Sequence, residues 1–287
     1  MDKGFHNEHI INQLNEFIWA ELGQSFNYHE FKLAIFAAMK NWCGILVVLM
    51  TLSASAQRDV RDSVIAGSHL TFSGAVHVPG GDLSTRFGNS GNIGLAYTFK
   101  TRTNWFLGAD LSYIFGGNVD EPGLLSNLLT DAGEIIDNNG MVAKVLIQER
   151  GFTTHLTVGR LWNVVGPNPN CGLFLKGGVG FMQHKIRLEH QENPITQLEE
   201  EYLKGYDRMS NGLSFYQFAG YYHMGTSRLA NFVVGVEMYE GFTQGRRDWS
   251  FDTQSVDDQP RFDVLMGLRA GWIIHIYSKT PQLYYFD

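Results

Sequence analysis

Two cysteines in 287 residues leave no room for a disulfide framework or a four-cysteine zinc site. Charge is scarce as well: 18% of residues are Asp, Glu, Lys or Arg, against roughly a quarter in ordinary domains. With 44% hydrophobic residues, that scarcity excludes a disordered chain, which needs high charge and little apolar surface. The net charge of −7 removes the electrostatic basis for nucleic-acid binding, so no nucleic-acid partner is expected. No apolar run reaches 18 residues, which excludes an evident transmembrane helix but says nothing of strands that cross a membrane. No G-x-S-x-G elbow is present. Gly88-x-x-Gly91-x-x-Gly94 has the wrong spacing for a dinucleotide fingerprint and leads into a strand pattern. The seven mature-region histidines show no recognisable ligand spacing, although His184 and His190 lie near Glu189 and Glu192. The expectation is therefore no catalytic residue, no metal and no cofactor.

What is present begins with an export signal. Met39-Lys40 opens a short positive segment, Cys43 to Leu52 is an apolar run, and Ala54-Ser55-Ala56 supplies the small-x-small site that signal peptidase requires. Cleavage after Ala56 starts the mature chain at Gln57. Residues 1–38 carry Asp2, Glu8, Glu16, Glu21 and Glu30, a poor prelude to a signal, and are expected to be a mis-assigned upstream extension. The division expected is 1–38 extension, 39–56 signal peptide, 57–287 mature domain.

The mature region is dominated by period-2 alternation, the mark of strands with two unlike faces. Eight strands are expected, at 64–78, 90–100, 104–116, 144–161, 172–188, 211–224, 229–242 and 261–277. The last is the cleanest: Phe262, Val264, Met266, Leu268, Ala270, Trp272, Ile274 and Ile276 alternate with Arg261, Asp263, Gly267, Arg269 and Gly271. On 211–224, aromatic on both faces, the expected outward set is Tyr216, Phe218, Tyr222 and Met224. Connections alternate long and short, as in outer-membrane barrels. A soluble ligand-binding barrel would place its apolar face inward and its polar face outward. Eight apolar residues on one face and Arg, Asp, Arg and Gly on the other fit lipid outside and a packed polar interior better.

Expected interior charges are Asp110, His155, Lys176, Glu237, Asp263 and Arg269, which must pair because an isolated buried charge is very costly. Lumen-side glycines such as Gly94 and Gly267 make room for long side chains. In the long connections, Gly123 to Thr130 is expected to fold on itself over the barrel mouth. Glu189, Glu192, Glu199, Glu200 and Glu201 form a solvated acidic stretch, and Arg246-Arg247 offers two cations to lipid phosphates.

The final strand reads Arg269-x-Gly271-x-x-Ile274-x-Ile276, followed by Tyr277. This resembles the C-terminal insertion signal of Gram-negative outer-membrane barrels, although the chain continues for ten more residues, to Asp287. Together with the export signal and eight strands, the mature region resembles small OmpA/OmpX-like or PorT-like barrels. The resemblance implies an all-β, eight-stranded antiparallel transmembrane barrel in the outer membrane, in contact with lipid and lipopolysaccharide and assembled by the outer-membrane insertion machinery. The function expected is non-enzymatic: a structural role or the docking of an envelope protein partner. A narrow pore or uptake accessory, or an accessory barrel of a secretion machine, is the alternative.

Overall fold

The computed structural model describes residues 63–121, 123–190, 195–225 and 230–276. The residues expected to form the upstream extension and the signal segment, and everything from Tyr277 onward, lie outside the described residues. Eight long strands run in chain order: β1 Gly67–Gly81, β2 Ser90–Lys100, β3 Trp105–Gly116, β4 Val145–Trp162, β5 Gly172–His190, β6 Ser210–Met224, β7 Asn231–Gly245 and β8 Pro260–Ile276. Each pairs antiparallel with its chain neighbours, and β1 closes on β8 from Ser68↔Ile276 to Gly81↔Asp263, making an eight-stranded closed barrel. Closure satisfies the backbone without a free sheet edge, the condition for spanning lipid with strands.

The stagger of the barrel follows from the register. A row of pairs starting at Gly267 passes through Glu237, Phe218, Lys176, Gly159, Phe106 and Lys100 to Gly67, and returns to β8 one residue past Ile276. That is a shear of about ten residues, which tilts the strands by about 40°. Eight strands at this tilt enclose only enough space for side chains to fill.

The exterior is mostly apolar, with Thr154, Gln217 and Glu240 as polar outward positions. Val76, Ile93, Leu107, Leu111, Leu156, Val179, Val236, Met266 and Leu268 all point outward and are exposed. Aromatic residues bound this band. Tyr113, Phe115, Phe152, Phe181, Phe215, Phe242 and Phe262 stand near the long-loop end, while Tyr97, Phe99, Trp105, Trp162, Phe232 and Trp272 stand near the short-turn end. On β8 the interval from Phe262 to Trp272, at about 3.3 Å per residue and about 40° of tilt, spans about 25 Å. This matches the apolar band of a transmembrane barrel. Arg160 lies over both Trp105 and Trp162, 5.1 and 5.6 Å from their ring centres, and completes the short-turn girdle.

Strand facing agrees with the alternation on seven strands and differs on β6. Tyr216, Phe218, Tyr222 and Met224, expected outward, are all buried in the lumen, and Leu213, Phe215 and Gln217 face out instead. The outward face of β6 includes Asn211, Gln217 and His223, so hydropathy alone makes the wrong face the more apolar one. The register decides otherwise. Tyr216 sits opposite Gly178 and Tyr239, and Phe218 opposite Lys176 and Glu237, positions whose side chains all point inward. The large rings occupy the room that inward glycines leave.

The long connections pack over the mouth of the barrel. The stretch from Gly123 to Thr130 contains a 3-10 turn at Ser126–Leu128, with Leu124 and Leu125 buried, and a short ribbon pairs Ile135–Ile136 with Val142–Ala143. Leu83, Phe87, Ile186, Leu188, Ile195, Leu198 and Tyr206 are buried in the same apolar cluster.

Candidate functional site

The side chains that carry charge inside the barrel are held in tiers along its axis. Their depth is set by the strand stagger and their inward aim by period 2.

At mid-height, Arg269 of β8 reaches across the lumen. Its Nε lies 2.6 Å from Glu237 Oε2 on β7, and the two side chains are 5% and 0% exposed. Its terminal nitrogens donate to Ser73 Oγ at 3.1 Å, Ser112 Oγ at 3.1 Å and Tyr239 Oη at 2.7 Å. Gly94 allows this: a Cβ there would lie 2.8 Å from both Ser73 Oγ and Ser112 Oγ and 3.3 Å from Arg269 itself. The second oxygen of Glu237 lies 2.9 Å from His77 Nε2. Gly267 opens the space for that ring, since a Cβ would come within 2.5 Å of it.

Asp110 of β3 and Lys176 of β5 form a separate pair at 2.8 Å, and Thr157 donates to the other Asp110 oxygen at 2.9 Å. Tyr216 stands between the two pairs. Its ring centre is 5.0 Å from Lys176 Nζ, 5.8 Å from the Arg269 guanidinium carbon and 4.8 Å from the Tyr239 ring. His155 forms no ion pair among the described residues. Its Nε2 lies 3.1 Å from Ser214 Oγ, and its ring packs on Tyr216 and Tyr239. Asp263 belongs to a higher tier. One oxygen lies 2.8 Å from His184 Nε2 and accepts from Thr243 at 2.5 Å, with Phe87 edge-on to the His184 ring. Of the six expected lumen residues, the fold therefore brings Asp110 to Lys176 and Glu237 to Arg269, and sends Asp263 and His155 to other partners.

Sequence reasoning missed the aromatic filling and the lower closure. Phe106, Phe174, Phe218 and Tyr222 form one inward cluster beside His69, whose Nδ1 is 3.0 Å from Tyr222 Oη. Below them Lys100, fully buried, donates to the Ile65 carbonyl and to Asn170 Oδ1, each at 2.9 Å. Asn170 Nδ2 donates to the Ser63 carbonyl, so the segment ahead of β1 is tied across the short-turn end. A usable signal existed in the facing glycines of β5 and β7, which mark where large inward rings from β6 belong. Between these tiers lies a cavity of about 30 Å³, bordered by Asp110, Lys176, Arg269 and Tyr216. That is the space of about one water molecule.

Arg269 and Gly271 face the lumen, and Ile274 and Ile276 face out. Among the described residues no group of three or more His, Cys, Asp or Glu could hold a metal ion. His184 is spent on Asp263.

At the long-loop end, ion pairs tie the connections together. Glu121 meets Arg86 at 2.6 Å and Arg208 at 2.9 Å, and Arg208 also pairs with Asp252. Burial pulls the Arg86 guanidinium below its usual range, with Glu121 opposing the shift. Arg247 makes two bonds to Asp207, at 2.7 and 2.5 Å, and is therefore not free for lipid phosphate.

No family model matches the sequence, and no curated protein matches it. Solved structures of similar fold include the Neisserial surface protein A, with 8% identity, 73% of this chain and 97% of that one covered, and a TM-score of 0.40. Outer membrane protein OprG of Pseudomonas aeruginosa aligns at 12% identity over 75% of this chain and 100% of its own, with a TM-score of 0.35. Ail, the attachment invasion locus protein of Yersinia pestis, aligns at 11% identity over 73% and 100%, with a TM-score of 0.34. The barrel assignment rests on the closed circuit of paired strands described above and not on these likenesses.

Proposed function

We propose that the chain is an exported, non-enzymatic outer-membrane barrel whose lumen is closed by its own side chains and whose role is structural or partner-docking. The export signal at 39–56 directs it across the inner membrane, and Arg269, Gly271, Ile274 and Ile276 act as the recognition pattern for the insertion machinery. Both termini then face the periplasm, and the long loops face outward. The observation that carries the reading is the pairing of an apolar outer band about 25 Å tall with a lumen plugged in tiers by Asp110–Lys176, Glu237–Arg269, the Tyr216–Tyr239 stack and Lys100. Asp110, His155, Lys176, Glu237, Asp263 and Arg269 serve here as structure rather than as an ion path. A buried ion pair is a weak source of net stability, but it is costly to break, so it makes a durable plug.

Planar-bilayer recording of the purified protein tests this. The expected result is bilayer insertion, shown by a heat-dependent gel shift, with no steady conductance above the lipid baseline. A reproducible small conductance would replace the plug with the narrow-pore reading.

A further inference from the structure

The upper lumen holds a carboxylate that no ion pair neutralises among the described residues. Glu149 on β4 is 1% exposed, and neither of its oxygens has a hydrogen-bond partner there. It pairs with Gly116 on β3, and its side chain lies over that glycine: a Cβ there would stand 2.8 Å from Glu149 Oε2. The same Cβ would lie 3.3 Å from Ser90 Cβ, so the carboxylate and Ser90 of β2 share the gap that the glycine leaves. Asn92 is the next inward residue along β2, opposite Ile114. Ser90 Oγ and both amide atoms of Asn92 are likewise buried without hydrogen-bond partners among the described residues.

The cations nearby are spent. Arg86 gives Nε to Glu121 and its terminal nitrogens to Ser210 Oγ and the Arg208 carbonyl. Arg150 donates to the Gln148 side-chain oxygen and the Glu149 carbonyl. Arg261 holds Asp257, and His184 is bound to Asp263. Asp263 stands close enough to repel Glu149, so it adds negative charge to the tier. An ionised carboxylate in such surroundings is very costly unless a positive charge joins it. The oxygens on offer are a carboxylate, a hydroxyl and an amide carbonyl, with no sulfur and no imidazole among them. Such a set suits a hard cation rather than zinc or copper. One carboxylate balances a single positive charge, whereas a divalent ion would bury a surplus one.

We propose that Glu149, Ser90 and Asn92 bind one monovalent alkali cation in the upper lumen. Glu149 supplies the counter-charge, and Ser90 Oγ and Asn92 Oδ1 replace part of the ion's hydration shell. On β4 the site lies nearer the long loops than Thr157, which holds Asp110, so an ion reaches it without crossing the plug. The site does not rest on closure of the lumen below, which the bilayer recording tests separately.

Urea titration of the full barrel, refolded into phosphatidylcholine vesicles at about pH 8, reads binding through stability; a free carboxyl is ionised there. The salts compared at constant ionic strength are the chlorides of sodium, potassium, N-methylglucamine and calcium. A bound ion raises the folded-to-unfolded ratio by one plus its concentration over Kd, about 11-fold at about ten times Kd. The expected result is a saturable rise of that form with sodium or potassium, absent with N-methylglucamine and lost in Glu149→Gln. Should Glu149→Gln fail the heat-shift gel, Ser90→Ala gives the same test, with the half-saturating concentration raised about 5-fold by loss of one neutral ligand. Equal stability in all four salts, an alkali dependence that these variants leave unchanged, or stabilisation by calcium in preference to both alkali ions each overturns the proposal. So does an infrared band of a protonated carboxyl at the same pH that vanishes in Glu149→Gln, because a neutral Glu149 needs no cation.

Discussion

Removing the Arg269 guanidinium while keeping an unbranched chain of similar length, Arg269→Met, should strand the Glu237 carboxylate. In the intact lumen that carboxylate has Arg269 on one oxygen at 2.6 Å and His77 on the other at 2.9 Å, and its side chain is fully buried. The lost bonds to Ser73, Ser112 and Tyr239 matter less, because hydroxyl groups can rotate to other acceptors; Ser73 already reaches the Gly94 carbonyl at 3.4 Å. The uncompensated charge dominates, and breaking a buried pair costs about 3–5 kcal/mol. Glu237→Gln removes the stranded charge and keeps an oxygen for His77. The double variant should therefore be only about 1–2 kcal/mol less stable than the parent, about 2–3 kcal/mol more stable than Arg269→Met alone. Urea titration of barrels refolded into lipid vesicles, followed by the heat-shift gel, measures all four corners of the cycle. A loss under about 1 kcal/mol for Arg269→Met, or a double variant no more stable than Arg269→Met, would refute the claim that this pair is a desolvated plug.

Leu268→Arg, on the lipid face two residues from Met266, should cost about 2–4 kcal/mol in the same titration, by the price of a cation near the bilayer midplane. Spin labels at single cysteines should show positions 266 and 268 accessible to lipid-phase quenchers and 267 and 269 protected; the opposite pattern would turn the barrel inside out. Gly94→Val places carbon against Ser73, Ser112 and Arg269 and should destabilise by about 1–3 kcal/mol through overpacking; unchanged stability would mean that Arg269 does not need that gap. N-terminal sequencing of membrane-extracted protein should read from Gln57, and a retained upstream segment would refute the export signal.

Period-2 patterning is a local property, and what depends on it was legible in the chain. It carried the eight strands, the alternation of long and short connections, and the facing of β8, where Met266 and Leu268 meet the exterior while Gly267 and Arg269 turn inward. It failed on β6 because both faces are aromatic and the outward one carries Asn211, Gln217 and His223, so hydropathy favoured the wrong face; only pairing with β5 and β7 turned Tyr216 and Phe218 inward. The identity of each lumen partner was likewise beyond reach of the chain alone. Asp263 meets His184, 79 residues earlier, and Arg269 touches Ser73, 196 residues earlier, because strand order and a shear of about ten residues set which inward side chains share a height. Alternation tells each side chain which way to point, whereas closure of the sheet decides what it finds there.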